Sequence, residues 1–262
     1  MLAHPCCRPA RRTALARTKP CSAGAEAGLP PRRLPHALAV AGLALAAVCG
    51  PAAAQFSGSV AVDSDYRYRG VTLSDNRPDA RIGLSYDHPS GWYAGASLTR
   101  VIFEPGRYHG ALVAYAGYTR PWSTDLRWEL GATHSSYEGD ARYDYTEAYA
   151  GLIGDLWSAR AYLSPDYFGS DVRTAYLELE ANWPLSSTVR AIGHVGALWS
   201  LHGDLEDGMS RLRTDARAGV RWLVDDGLAV QLAWSGSSTG GPYPSAYERR
   251  RSNVLLSVSY SF

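Results

Sequence analysis

Beyond residue 54 the chain has no cysteine and no lysine: Cys6, Cys7, Cys21, Cys49 and the single lysine, Lys19, all precede it. A stretch without cysteine cannot be held by the disulfides that staple small secreted domains. No stretch of roughly 20 apolar residues occurs, so no membrane-spanning helix is expected, and no window sustains a 3.6-residue period. Of the 26 basic and 25 acidic residues, seven basic residues and Glu26 fall before residue 55, which leaves 19 arginines against 24 acids, a net charge near −5. A chain with that balance lacks the basic footprint of a nucleic-acid binder.

The first fifth of the sequence is a segment apart. Residues 32–54 carry Arg32-Arg33, the apolar run from Ala37 to Val48 and the small-residue site Ala52-Ala53-Ala54. A basic flank, a short apolar stretch and an A-x-A site describe a secretory signal peptide, with cleavage expected before Gln55. Residues 1–31, rich in Arg, Pro and Ala, read as an unusual leader or a mis-assigned start.

Residues 55–262 show alternation instead. At the end of the chain Val254, Leu256, Val258, Tyr260 and Phe262 share one side, and Asn253, Leu255, Ser257, Ser259 and Ser261 the other. A period of two is that of a strand. Near 212–224, Leu212, Thr214, Ala216, Ala218, Val220 and Trp222 oppose Arg213, Asp215, Arg217 and Arg221. The same counting predicts strands at 59–69, 79–87, 92–101, 109–119, 126–137, 144–153, 156–164, 173–183, 188–200, 212–224, 228–237 and 250–262.

Brief turns at 88–91, 120–125, 153–156, 184–187 and 225–227 exchange with longer polar segments at 73–78, 102–108, 138–143, 165–172, 201–211 and 238–249. Short turns on one side and long loops on the other are the pattern of an outer-membrane barrel. Trp92, Trp128, Trp157, Trp183 and Trp222 lie near the brief turns, where an interfacial girdle belongs. The apolar face, with Ala and Gly beside Leu and Val, suits lipid contact. The expected fold is all-β: an up-and-down antiparallel transmembrane barrel of about twelve strands, closed by its first and last strands. Phe262 resembles the terminal signal that outer-membrane proteins show to the barrel assembly machinery.

Ser64-Asp65-Tyr66-Arg67-Tyr68-Arg69-Gly70 with Asp75 and Pro78 resembles the opening signature S-D-Y-x-x-R-G…D-x-x-P of the TorF family of porins. Gly91-Trp92-Tyr93-Ala94-Gly95 is similar to that family's G-x-Y-x-G. The motif residues are thus Ser64, Asp65, Tyr66, Arg69, Gly70, Asp75 and Pro78. The resemblance implies an outer-membrane channel, and no catalytic residue or cofactor comes with it.

The polar face supplies the candidate lumen: Asp63, Asp65, Arg67, Arg69, Arg81, Asp87, Arg127, Glu129, Arg160, Glu178, Glu180, Arg190, Arg213, Asp215, Arg217 and Arg221. Opposed arginines and acids either set up a field that selects small polar solutes or cross-link the wall and fill it. The function expected is passive diffusion of small hydrophilic solutes or ions, without cofactor, metal or catalysis, in the outer membrane of a Gram-negative bacterium among lipid and lipopolysaccharide. One alternative is a lipid-acting hydrolase built on His134 with Ser135, Ser136 or Ser97, or on His109 or His194. A triad is recognised by geometry rather than adjacent letters. Another alternative is a non-conducting structural or adhesive barrel. The acidic run His202–Asp207 lacks the spacing of a calcium loop, and Tyr243 and Tyr247 read as interfacial aromatics.

Overall fold

A computed structural model describes residues 55–104, 106–205, 210–241 and 251–262. The expected leader and signal peptide, Glu206-Asp207 and the Tyr243–Tyr247 stretch lie outside the described residues.

Twelve antiparallel strands close into one barrel. They are β1 (Gln55–Asp63), β4 (Asp79–Asp87), β5 (Trp92–Glu104), β6 (Arg107–Pro121), β7 (Leu126–Tyr137), β8 (Tyr145–Gly154), β9 (Trp157–Ser164), β10 (Arg173–Pro184), β11 (Val189–His202), β12 (Leu212–Leu223), β13 (Leu228–Ser237) and β14 (Ser252–Ser261). Two short strands, β2 (Arg67–Tyr68) and β3 (Val71–Thr72), form a separate hairpin. Each wall strand pairs with its sequence neighbour, and β14 returns to β1 from Ser59↔Ser261 to Asp63↔Ser257. Phe262 and Gly58 exchange backbone bonds of 2.8 and 3.0 Å at the end of that seam. Closure leaves no sheet edge, a necessity where no water can satisfy one.

The alternation resolves into an inverted arrangement. Val254, Leu256, Val258, Tyr260 and Phe262 are all exposed on the outside, as are Ile82, Leu84, Leu130, Leu179 and Leu232. Glu129, Glu147, Asp215 and His194 are buried inside. Apolar outside and charged inside is stable only where hydrocarbon surrounds the wall. Trp92, Trp157, Trp183 and Trp222 stand out from the short-turn end of the barrel.

Three expectations are corrected. The first strand stops at Asp63 rather than Arg69, because the chain turns into the lumen there. No long loop spans 102–108: β5 and β6 continue to Glu104 and Arg107 as an extended hairpin. Several strand glycines face inward rather than toward lipid. Gly95, Gly117, Gly131 and Gly196 each lie beneath a tyrosine of a nearby strand (Tyr115, Tyr93, Tyr149 and Tyr176), where a Cβ would collide with the ring. A glycine within a strand commonly marks such a close approach.

Candidate functional site

The lumen is divided along its length, and the hairpin 64–78 occupies the long-loop half. Its tip, Arg69-Gly70, joins Tyr68 to Val71 with φ of 48° and 75°. Two consecutive positive φ values define a type I′ turn, which matches strand twist and favours Asn-Gly. Arginine at the first position stores strain of roughly 1 kcal/mol or more, so its side chain must be well held. It is: Nη1 and Nη2 donate to Glu147 Oε1 and Oε2 of β8 at 2.9 and 2.8 Å, and both side chains are nearly dry. The guanidinium lies 3.9 Å from the ring centre of Tyr176 and within 5.4 Å of those of Tyr68, Tyr162 and Tyr167. The Tyr68 hydroxyl donates to Glu147 as well, at 3.2 Å.

Asp65 ties the hairpin internally. Its carboxylate accepts from Arg67 Nε at 2.6 Å and Thr72 Oγ1 at 2.5 Å, and Ser74 Oγ is 3.1 Å away. The Tyr66 N–H donates to Ser74 Oγ, and Leu73 bonds Tyr66 through the backbone. The Ile102 N–H donates to Leu73 O at 2.7 Å, attaching the hairpin to β5. The motif residues thus build a small knot, with Ser64 bonding Leu256 at the seam and Asp75 and Pro78 exposed on the return limb. Around it Val71, Leu73, Val101, Phe103, Tyr137, Tyr145, Tyr167, Phe168 and Leu198 form a buried apolar cluster. A space of about 10 Å³ remains between hairpin and wall beside Tyr66, Tyr68 and Tyr145. That is about the room one water needs.

A polar layer crosses the barrel below. The Tyr93 hydroxyl donates to Glu129 at 2.7 Å and stands 2.7 Å from that of Tyr149. Arg160 Nε donates to Glu129 at 2.5 Å, with Glu178 3.8 Å away. Tyr162 donates to Glu178 at 3.1 Å. His194 Nε2 is 2.8 Å from Asp215, which also accepts from Tyr176. Arg217 donates to Glu180 at 3.3 Å.

The candidate lumen residues therefore meet in three groups. Asp63 and Arg81 pair at 3.5 Å near the seam. Glu129, Arg160, Glu178, Glu180, Asp215 and Arg217 share the central layer. Arg190 and Arg221 sit below it as direct cross-strand partners. Arg213 reaches Gly240 O and Ser237 Oγ near the hairpin tip, and Arg127 is exposed at the start of β7. Asp65, Arg67 and Arg69 belong to the hairpin and not to a wall strand. Sequence reasoning missed Glu147 and the tyrosines that cage Arg69. Tyr145-Thr146-Glu147-Ala148-Tyr149 carries the period-two signal that would have aimed Tyr145, Glu147 and Tyr149 into the lumen.

The residues considered for hydrolysis are dispersed. His134 faces outward and bonds Thr146 at 2.9 Å, whereas Ser135 is buried on the inner face. His109 is bonded to Glu138 O. Among the described residues no group of three or more His, Cys, Asp or Glu has the arrangement of a metal site.

A closed antiparallel barrel with an apolar exterior and an ionised interior has the architecture of porin-like outer-membrane barrels. Two solved porins share this fold. KdgM porin aligns with a TM-score of 0.51 at 10% identity, covering 79% of this chain and 99% of that one. NanC porin aligns at 0.55 and 9% identity, with the same coverage. No curated protein matches the sequence. The chain belongs to the Gcw_chp family, described as bacterial protein of unknown function, which matches residues 48–262.

Proposed function

We propose that this protein is an outer-membrane channel of porin type, exported by a signal peptide cleaved before Gln55, that passes small hydrophilic solutes when hairpin 64–78 leaves the lumen. The observation that carries the reading is the contrast between the two halves of the interior. An ionised layer of Glu129, Arg160, Glu178, Glu180 and Arg217 lines the wall below, while the obstruction above is a loop rather than the wall itself. Apolar contacts in place of buried ion pairs are often neutral or stabilising, so a barrel needed only as a scaffold has no stability reason to keep them. The wall arginines and acids set up a transverse field that favours small polar solutes. The TorF-like motif supports the same reading, and its Ser64, Asp65, Tyr66, Arg69 and Gly70 fold and anchor the hairpin. Lipid and lipopolysaccharide are the surrounding partners, and Phe262 is the residue presented to the assembly machinery.

The test is planar-bilayer recording of the purified protein beside a variant whose residues 65–76 are replaced by a short Gly-Ser linker. The native barrel should open rarely, and the variant should show large, long-lived steps. A folded, heat-modifiable variant that stays silent would sink the channel reading in favour of a structural barrel.

A further inference from the structure

Arg190 and Arg221 stand directly opposite each other on the inner face of β11 and β12. Arg217, four residues before Arg221 on the same face, and Arg190 both repel Arg221, while Glu180, already bonded by Arg217, attracts it. Like charges directly opposite across a sheet destabilise it, and elsewhere the lumen avoids this by pairing. Arg69 has Glu147, Arg81 has Asp63, and Arg160 has Glu129 with Glu178. Arg217 has Glu180. Among the described residues Arg221 is hydrogen-bonded to a neutral partner, Gln231 Oε1, at 3.1 Å from Nε and 2.8 Å from Nη2. Among the described residues no carboxylate bonds Arg190.

Two arginines directly opposite in register therefore share one stretch of wall with no carboxylate bonded to either among the described residues, at a cost the sheet would shed in part if either were neutral. A guanidinium presents a planar fork of donors whose spacing matches two oxygens of a carboxylate or phosphate. The Gln231 contacts engage the Nε–Nη2 edge of Arg221 and leave Nη1 for another acceptor. An anion between the pair would turn their repulsion into two attractions, with Arg217 adding field from above. Partial withdrawal from bulk water strengthens each of these attractions.

We propose that Arg190 and Arg221, assisted by Arg217, bind a small oxyanion, a solute bearing a carboxylate or phosphate group, in the short-turn half of the lumen. The site rests on the channel reading for the route of its ligand, but binding requires no conduction.

The test measures thermal unfolding of the full purified protein in detergent, with inorganic phosphate or acetate replacing sodium chloride at constant ionic strength. A ligand bound only by the folded state raises the midpoint with its concentration. The native protein should respond saturably to one or both anions. Arg190→Gln and Arg221→Gln should each weaken the apparent affinity at least tenfold and, in chloride alone, unfold no earlier than the native protein. Equal responses in native and variant proteins would overturn the site. Calorimetric titration of the native protein covers the case in which a variant fails to fold, since no saturable uptake of phosphate or acetate also overturns it. Binding without conductance under any hairpin change would refute the channel and keep the site; conductance without binding would do the reverse.

Discussion

Glu147→Gln removes the carboxylate charge bonded to Arg69, and its consequences can be worked through. In the docked hairpin the two side chains are 3% and 1% exposed. Deleting one member of such a pair leaves the other charge dry and uncompensated, which costs about 3–5 kcal/mol. Undocking hydrates Arg69, so that cost is escaped only by leaving the lumen. At roughly 1.4 kcal/mol per factor of ten, the docked-to-undocked ratio should fall about 140- to 3,700-fold. The tyrosine cage works against release, and cation–π contacts at dry sites contribute about 2 kcal/mol. Single-channel recording should show a rise in open probability of at least tenfold, with step size matching that of the hairpin-replaced barrel. The double variant Arg69→Met/Glu147→Leu separates loss of charge balance from general damage. Replacing a buried pair by apolar groups of similar volume is neutral or stabilising by about 1–4 kcal/mol, so the double variant should close again. Native open probability in a folded Glu147→Gln protein would refute the reasoning, as would a double variant as open as the single one.

Gly70→Ala places a Cβ 2.7 Å from the Cβ atoms of Asp215 and Ser237, at a φ of 75°. The clash and the backbone strain should together loosen the hairpin by more than about 1 kcal/mol, read as higher open probability with an intact barrel; an unchanged closed state would contradict the packing described. Phe262 separates signal from structure. Its ring is exposed, but its N–H and C=O close the seam on Gly58. Phe262→Ala should therefore lower barrel assembly in cells while the purified protein melts normally, and deletion of Phe262 should also cost about 0.5–1.5 kcal/mol per lost bond. Equal melting of the two variants would argue against the seam. Asp225 caps the β12–β13 turn by accepting from the Gly227 and Leu228 N–H groups at 2.9 and 2.7 Å, bonds that hold its carboxyl below the usual carboxylate range. A depressed folded pKa means that the stabilisation is complete above the unfolded value and is lost as pH falls through the lowered one. The midpoint gap between native protein and Asp225→Asn should thus be present at neutral pH and shrink only in acid below pH 3.8; a gap that widens in acid would refute the assignment.

Much of the barrel wall was legible in the sequence because strand periodicity is local. Leu212 to Trp222 and Val254 to Phe262 each declare two faces through alternate residues alone, and a one-residue slip would reverse both. The twelve wall strands follow from repeating that count, and the short turns follow from Gly, Pro and Asp between runs. Which face meets lipid was readable from the company the strands keep, since tryptophans cluster at the brief turns while the opposing face carries the charge.

The fate of Ser64–Pro78 was not legible in the same way. Asp65, Arg67 and Arg69 continue the alternation of β1, so local pattern extends the strand to Arg69. The chain instead turns inward because Arg69 finds a carboxylate 78 residues away on β8 and a ring 107 residues away on β10, partners that exist only once the wall has closed. Inward glycines are a second case. Gly117 and Gly196 look like weak points in their strands until Tyr93 and Tyr176 are seen lying across them. By itself the sequence determined the wall, its faces and the sides on which its loops emerge, because these depend on residues two apart. Only the tertiary structure decided that a hairpin folds into the lumen, which arginines pair with carboxylates and which two face each other across β11 and β12, because charge pairing inside a barrel depends on strands brought together by closure rather than by sequence.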